Sequence, residues 1–147
     1  MTIEQILLRP LRPSDFAAVL NLWSTADGVV LRDDDSDPAA FARFLRRNRG
    51  LSWGAWQGKE LLGAALAGHD GRRGYLYHLA VRQMARRKGT GKALLERVLA
   101  QLQSCGLSRA HVQILGGNQA ALEFWTALGW QRRNDLVTCS RILIGRA

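Results

Sequence analysis

A 147-residue chain with 21 lysines and arginines against 12 aspartates and glutamates, a net charge of +9, is the length of one domain, residues 1–147, and no Gly, Ser or Pro linker divides it. It has no uncharged apolar run of membrane-spanning length, and Met1-Thr2-Ile3-Glu4 lacks the basic start of a secretory leader, so a soluble, cytoplasmic protein with no membrane partner is expected. The cations favour acidic ligands, yet they are scattered from Arg9 to Arg146 without an aromatic stripe between them, which argues against a specific nucleic-acid surface.

In chain order, Ile3, Ile6 and Leu8 read as an opening strand ended by Arg9-Pro10. Pro13-Ser14-Asp15 starts a helix carrying Phe16, Val19, Leu20 and Trp23, with either Ser14 or Asp15 as its cap. Asp27 and the run Asp33-Asp34-Asp35-Ser36-Asp37 form an acidic connection, and Asp37-Pro38 opens a second helix that ends near Asn48. Ser52 to Trp56 and Leu61 to Ala67 make a hairpin across Gln57-Gly58-Lys59. Tyr75 to Val81 is apolar or aromatic at nearly every position, as in a strand buried on both faces.

Thr90 to Ser104 follows as a long helix with Leu94, Leu95, Val98, Leu99 and Leu102 as its core stripe. Ala110 to Leu115 is a short strand, Asn118 to Leu128 a helix stopped by Gly129, and Trp130 to Arg133 with Val137 to Ile144 a closing hairpin. The order β-α-α-β-β-β-α-β-α-β-β predicts an α/β (α+β) domain with a mixed, mostly antiparallel central sheet flanked by helices. Cys105 and Cys139 are far apart and without metal spacing, so both are expected as packing thiols; no histidine pair is spaced to hold a metal.

Arg86-Arg87-Lys88-Gly89-Thr90-Gly91 sets a glycine turn and three cations between the central strand and the long helix. The first N–H groups of such a helix lack intrahelical acceptors and suit a phosphate. The spacing matches neither the dinucleotide fingerprint nor the phosphate loop, which needs Gly-Lys-Ser/Thr. Leu79-Ala80-Val81, this turn and Ala93-Leu94-Leu95 together resemble the central motif of the GNAT superfamily, the acetyl-CoA-dependent N-acetyltransferases. Asn118, Ala121, Phe124-Trp125 and Gly129-Trp130 are similar to a later segment of the same family, so the resemblance spans nearly the whole chain.

The resemblance implies acetyl-CoA as cosubstrate and no metal. It implies that main-chain N–H groups around Arg86, Arg87, Lys88, Gly89, Thr90 and Gly91 hold the coenzyme pyrophosphate. The backbone of Leu79, Ala80 and Val81 would pair with the pantetheine arm and polarise the thioester carbonyl, while Asn118 would contact the arm. A primary amine then attacks the acetyl group directly. Two positions depart from the family pattern: Gln83 stands where many relatives have proline, and Trp125 where many carry a tyrosine able to protonate the leaving thiolate. Indole donates a hydrogen bond but has no useful acid function.

Tyr75, Tyr77 and His78 are the catalytic candidates of the central strand, and Trp125 joins them by position. Strand alternation places Tyr75 and Tyr77 on one face and His78 on the other. His69, Asp70 and His111 are secondary candidates bordering the same region. The acidic run reads either as a solvated connection or as an attraction for a cationic acceptor, a small-molecule or peptide amine. A homodimer is compatible with this reading. The rival to an enzyme is a non-catalytic acyl-CoA-binding or regulatory domain, favoured by Trp125 and by the absence of an obvious base.

Overall fold

The structure, a computed structural model, describes residues 5–26 and 31–144, without the side chains of Asp33 and Asp34. Ile3 of the expected opening strand and Asp27 of the acidic run lie outside the described residues. The chain clusters into two compact units, Met1–Gln113 and Ile114–Ala147.

The first unit is a five-stranded sheet in the order β1-β2-β3-β4-β5, formed by β1 (Ile6–Pro10), β2 (Trp53–Gln57), β3 (Glu60–His69), β4 (Gly74–Val81) and β5 (Ala110–Val112). All neighbours are antiparallel except β4 and β5, which run parallel. α1 (Phe16–Thr25) and α2 (Pro38–Arg47) precede β2, and α3 (Thr90–Ser104) connects β4 to β5. This is the expected mixed, mostly antiparallel sheet flanked by helices.

Local chemistry sets the helix starts. The Asp37 carboxylate accepts the Ala39 N–H at 3.0 Å, with Pro38 at the first helical position, where its missing N–H costs nothing. Ahead of α1 the chain makes a short 3-10 turn, Pro13–Asp15; Asp15 stands at the N-cap position of α1, but its carboxylate accepts the Arg12 N–H at 2.7 Å and makes no side-chain cap to α1.

Val19, Leu22 and Trp23 of α1 and Phe41 and Leu45 of α2 join Leu11, Trp56, Leu61, Ala64, Leu66 and Ala80 in one buried cluster. Gly63, next to Ala64, faces α3: a Cβ there would come within 3.0 Å of the Leu94 side chain. Adjacent strand residues point to opposite faces, so α1 and α2 cover one face and α3 the other.

The second unit holds α4 (Gln119–Ala127), capped by Asn118, whose side chain accepts the Ala121 N–H at 3.1 Å. Gly129, at φ +92°, follows its end. The expected closing hairpin is not formed: residues 131–144 include no strand, and Val137, Ile142, Leu143 and Ile144 are exposed. An alternating apolar pattern becomes a strand only where a sheet edge receives it, and none pairs with this stretch among the described residues.

The cysteines are likewise not packing thiols. Cys105 and Cys139 are free and exposed, Cys105 beyond the last buried turn of α3 at Leu102 and Cys139 in the irregular stretch. β4 is not buried on both faces either, since Tyr77 is 42% exposed. Its outer neighbour β5 is only three residues long and covers only the start of β4.

Candidate active site

α3 begins directly at the basic turn. Gly89 takes φ +80° and Arg87 φ +63°, and the first helical bond runs from the Ala93 N–H to the Gly89 carbonyl. Thr90, Gly91 and Lys92 therefore present N–H groups with no intrahelical acceptor, and no side chain caps them. The dipole of a 15-residue helix adds positive potential at the same place. Arg86, Arg87, Lys88 and Gly89 are exposed, with Arg86 Nε on the Val81 carbonyl at 3.1 Å.

The Thr90 hydroxyl is buried and has no hydrogen-bond partner among the described residues. Leaving such a group unpaired costs about 1–3 kcal/mol. An unpaired hydroxyl, an uncapped helix start and three adjacent cations fit the pyrophosphate of coenzyme A. A Cβ on Gly89 would meet nothing within 4 Å, so its left-handed angle, and not crowding, is what calls for glycine.

β4 leads into this turn with one edge open. β5 pairs only with Gly74, Tyr75 and Leu76, so on that side Tyr77 to Val81 have no strand partner among the described residues. Leu79, Ala80 and Val81 thus lie on a free edge, where an extended ligand can hydrogen-bond the main chain as an added strand does. A cleft of about 590 Å³ adjoins it, lined by Leu22, Thr25 and Ala26 at the end of α1 and by Val81, Arg82, Gln83, Met84 and Arg86.

On its other side β4 is bulged. Ala64 pairs with Ala80 and Leu66 with Tyr77, so three steps of β4 oppose two of β3. His78 sits in the bulge at φ +41°. The bulge overturns the alternation expected from the sequence. The Tyr77 ring meets Phe44 of α2 at 5.7 Å and the His78 ring meets Trp23 of α1 at 4.8 Å, while α1 and α2 join through Trp23 and Phe41 at 6.5 Å. Both side chains therefore lie on the α1–α2 side.

There His78 Nε2 stands 3.4 Å from Asp35 Oδ1, each side chain 24% exposed. The second Asp35 oxygen accepts the Arg32 N–H at 2.8 Å. Sequence reading noted the acidic run but did not join it to His78, because 43 residues separate the partners. Tyr75 stacks on Tyr77 at 6.4 Å and lies 5.7 Å from His111, giving an aromatic row across β4 and β5. Burial, and then the nearby Tyr75 and Asp70, push the Tyr77 phenol above its ordinary range.

His69 and Asp70 serve their own loop. His69 Nδ1 accepts the Gly71 N–H at 2.9 Å, and Asp70 Oδ1 accepts the Arg72 and Arg73 N–H groups at 2.8 Å each, bonds that hold its carboxyl below the usual range. In the second unit, the Asn118 oxygen is committed to its helix and its amide nitrogen remains a donor. Trp125 is 6% exposed and packs against Phe124 at 5.5 Å and Trp130 at 4.8 Å. Among the described residues, no group of three or more His, Cys, Asp or Glu is placed to hold a metal ion, and no helix is long and apolar enough to cross a membrane.

Comparison with known proteins places this geometry in context. The chain is 29% identical over 137 residues to Acetyltransferase ECA0875 of Pectobacterium atrosepticum and 27% identical over 137 residues to Acetyltransferase SG1711 of Sodalis glossinidius; each match covers 93% of this chain and 95% of the relative. The PaiA N-acetyltransferase of Thermoplasma acidophilum, solved in complex with coenzyme A, has the same fold, with a TM-score of 0.72 at 15% identity over 84% of this chain and 88% of that one. The model of the acetyltransferase (GNAT) family matches residues 16–130, which takes in β4, the basic glycine turn, α3 and the Asn118 segment. With that match over most of its length, the chain belongs to the GNAT family of acetyltransferases.

Proposed function

We propose that the protein transfers the acetyl group of acetyl-CoA to a primary amine by direct attack, with no acyl-enzyme intermediate. The observation that carries this reading is the run from an open β4 edge at Tyr77–Val81 into an uncapped α3 with an unpaired, buried Thr90 hydroxyl. The donor supplies an activated thioester. The N–H groups of Thr90 and Gly91, with Arg86, Arg87 and Lys88 around Gly89, hold its pyrophosphate. The Leu79–Val81 edge pairs with the pantetheine arm, and an N–H of that edge polarises the acetyl carbonyl.

Tyr75, Tyr77 and His78 border the acceptor side of the same strand. The acceptor is a cationic small-molecule or peptide amine, a choice supported by the carboxylate of Asp35 beside His78. Trp125, in sequence where many relatives carry a tyrosine, supplies no phenol as an acid for a thiolate. A thiolate is a reasonable leaving group, and alignment of the reactants supplies much of the rate.

Thiol release from acetyl-CoA across polyamines, amino acids, aminoglycosides and N-terminal peptides, with a calorimetric coenzyme titration, tests the proposal. Coenzyme-dependent turnover with one amine class is expected. Tight coenzyme binding without turnover for any class would favour an acyl-CoA-binding or regulatory domain, the reading that the buried Trp125 supports.

A further inference from the structure

We infer that His78 is the general base that takes the proton of the attacking amine and that Asp35 is its positioning residue, an assignment that rests on the acetyl-transfer reading above. His78 is held where a base is needed. It immediately precedes Leu79, on the open edge proposed to receive the thioester, and the bulge turns its ring to the side of α1 and α2. Its left-handed φ of +41° is unusual for a residue other than glycine, and such strain persists only where the surroundings enforce it. Two neighbours do so: the Trp23 ring at 4.8 Å and Asp35 at 3.4 Å.

Asp35 is itself anchored. One oxygen accepts the Arg32 N–H, which leaves the other aimed at His78 Nε2. An imidazole that donates Nε2–H to a carboxylate keeps its lone pair on Nδ1, so the free acceptor is the nitrogen away from Asp35. The 3.4 Å separation is long for a hydrogen bond, and catalytic contacts commonly tighten once substrate is bound. The groups around His78 favour this division of labour: Trp23 of α1 is uncharged, β3 presents Ala64 to Leu66 opposite the bulge, and Tyr77 beside it is a phenol pushed toward its neutral form. Asp35 is the carboxylate that meets it.

In the step, the amine nitrogen forms a bond to the acetyl carbonyl carbon and gives up a proton to His78 Nδ1. The carbon–sulfur bond breaks, its electron pair leaves on the thiolate, and the imidazolium proton returns to solvent as the thiolate takes one up. The products are an N-acetyl amine and a free thiol, and Asp35 stabilises the transient imidazolium without being protonated.

His78→Asn tests the base while respecting the backbone, because asparagine tolerates left-handed φ. With full-length protein and the amine giving fastest thiol release, kcat is expected to fall at least 100-fold with coenzyme affinity unchanged by calorimetry, and the acid limb of the kcat/KM profile to vanish. Asp35→Asn should lower kcat about tenfold with KM little changed, since the imidazole is no longer held in the productive orientation. Asp35→Glu should restore part of the loss. The ring nitrogen NMR shifts of His78, which need no turnover, should report the Nε2–H tautomer in the wild type and a mixture of tautomers in Asp35→Asn.

A His78→Asn protein with wild-type kcat and an unchanged acid limb, or an Asp35→Asn protein whose His78 ring keeps the wild-type tautomer, overturns the dyad and leaves acetyl transfer standing. Failure of the wild type to bind coenzyme A overturns the transfer reading, and the base role with it.

Discussion

Arg9 grips Asp15 with both ends of its guanidinium, Nη1 to Oδ2 at 2.8 Å and Nη2 to Oδ1 at 3.0 Å, which ties the last turns of β1 to the entry of α1. Burial of the Asp15 carboxyl pushes its pKa up, but bonds from Arg9 and the Arg12 N–H, with both arginine charges, outweigh that and hold it below the usual range. A carboxyl so depressed adds stability above the unfolded-chain value of about 3.9 and loses it as pH falls through the folded value. Asp15→Asn should therefore cost about 2 kcal/mol at pH 7 in urea melts and less at pH 3. An equal loss at both pH values would remove the ion pair as its source.

Gly89→Val places a β-branched residue at φ +80°, where the only penalty in the free protein is the backbone, about 1–2 kcal/mol. Reshaping the turn should also raise the coenzyme A dissociation constant at least tenfold by calorimetry. Gly89→Asn, which tolerates the angle, should do less of both. Unchanged affinity in the valine variant would take the pyrophosphate away from this turn.

Thr90→Val should move stability and affinity in opposite directions. The buried hydroxyl has no partner among the described residues, so an isosteric methyl should raise the unfolding free energy by about 1 kcal/mol. The same change removes a donor from the proposed phosphate cradle, and coenzyme binding should weaken several-fold. A destabilised variant would mean that the hydroxyl already has an acceptor.

Tyr77→Phe should leave kcat within about twofold across pH 6–9. Its phenol is pushed upward by burial and by the neighbouring Tyr75 and Asp70, so it stays neutral over that range and offers no base. A loss of the alkaline limb of the rate profile in the phenylalanine variant would show that the phenol takes part.

Much of the local structure was legible because it depends on adjacent residues alone. The bounds Thr90 and Ser104 and the Asp37 cap follow from a few neighbouring residues, and each is found where the pattern places it. What escaped depends on distant partners. Two-residue alternation puts His78 opposite Tyr77, but the bulge is a register mismatch with β3 and is written in no short window of β4. The Asp35 contact bridges 43 residues. Val137 to Ile144 alternates as a strand does, yet β-structure needs an edge to join, and Cys139 stays exposed with it.

The brevity of β5 has a consequence for how the protein behaves in a tube. Beyond Leu76, β4 offers on its β5 side five residues of backbone with no strand partner among the described residues, Leu79 and Val81 among them, and an uncovered strand edge is a template on which any extended chain can nucleate aggregation. A ligand lying along that edge is therefore also a stopper, and preparations stripped of it should precipitate sooner on storage than preparations that retain it.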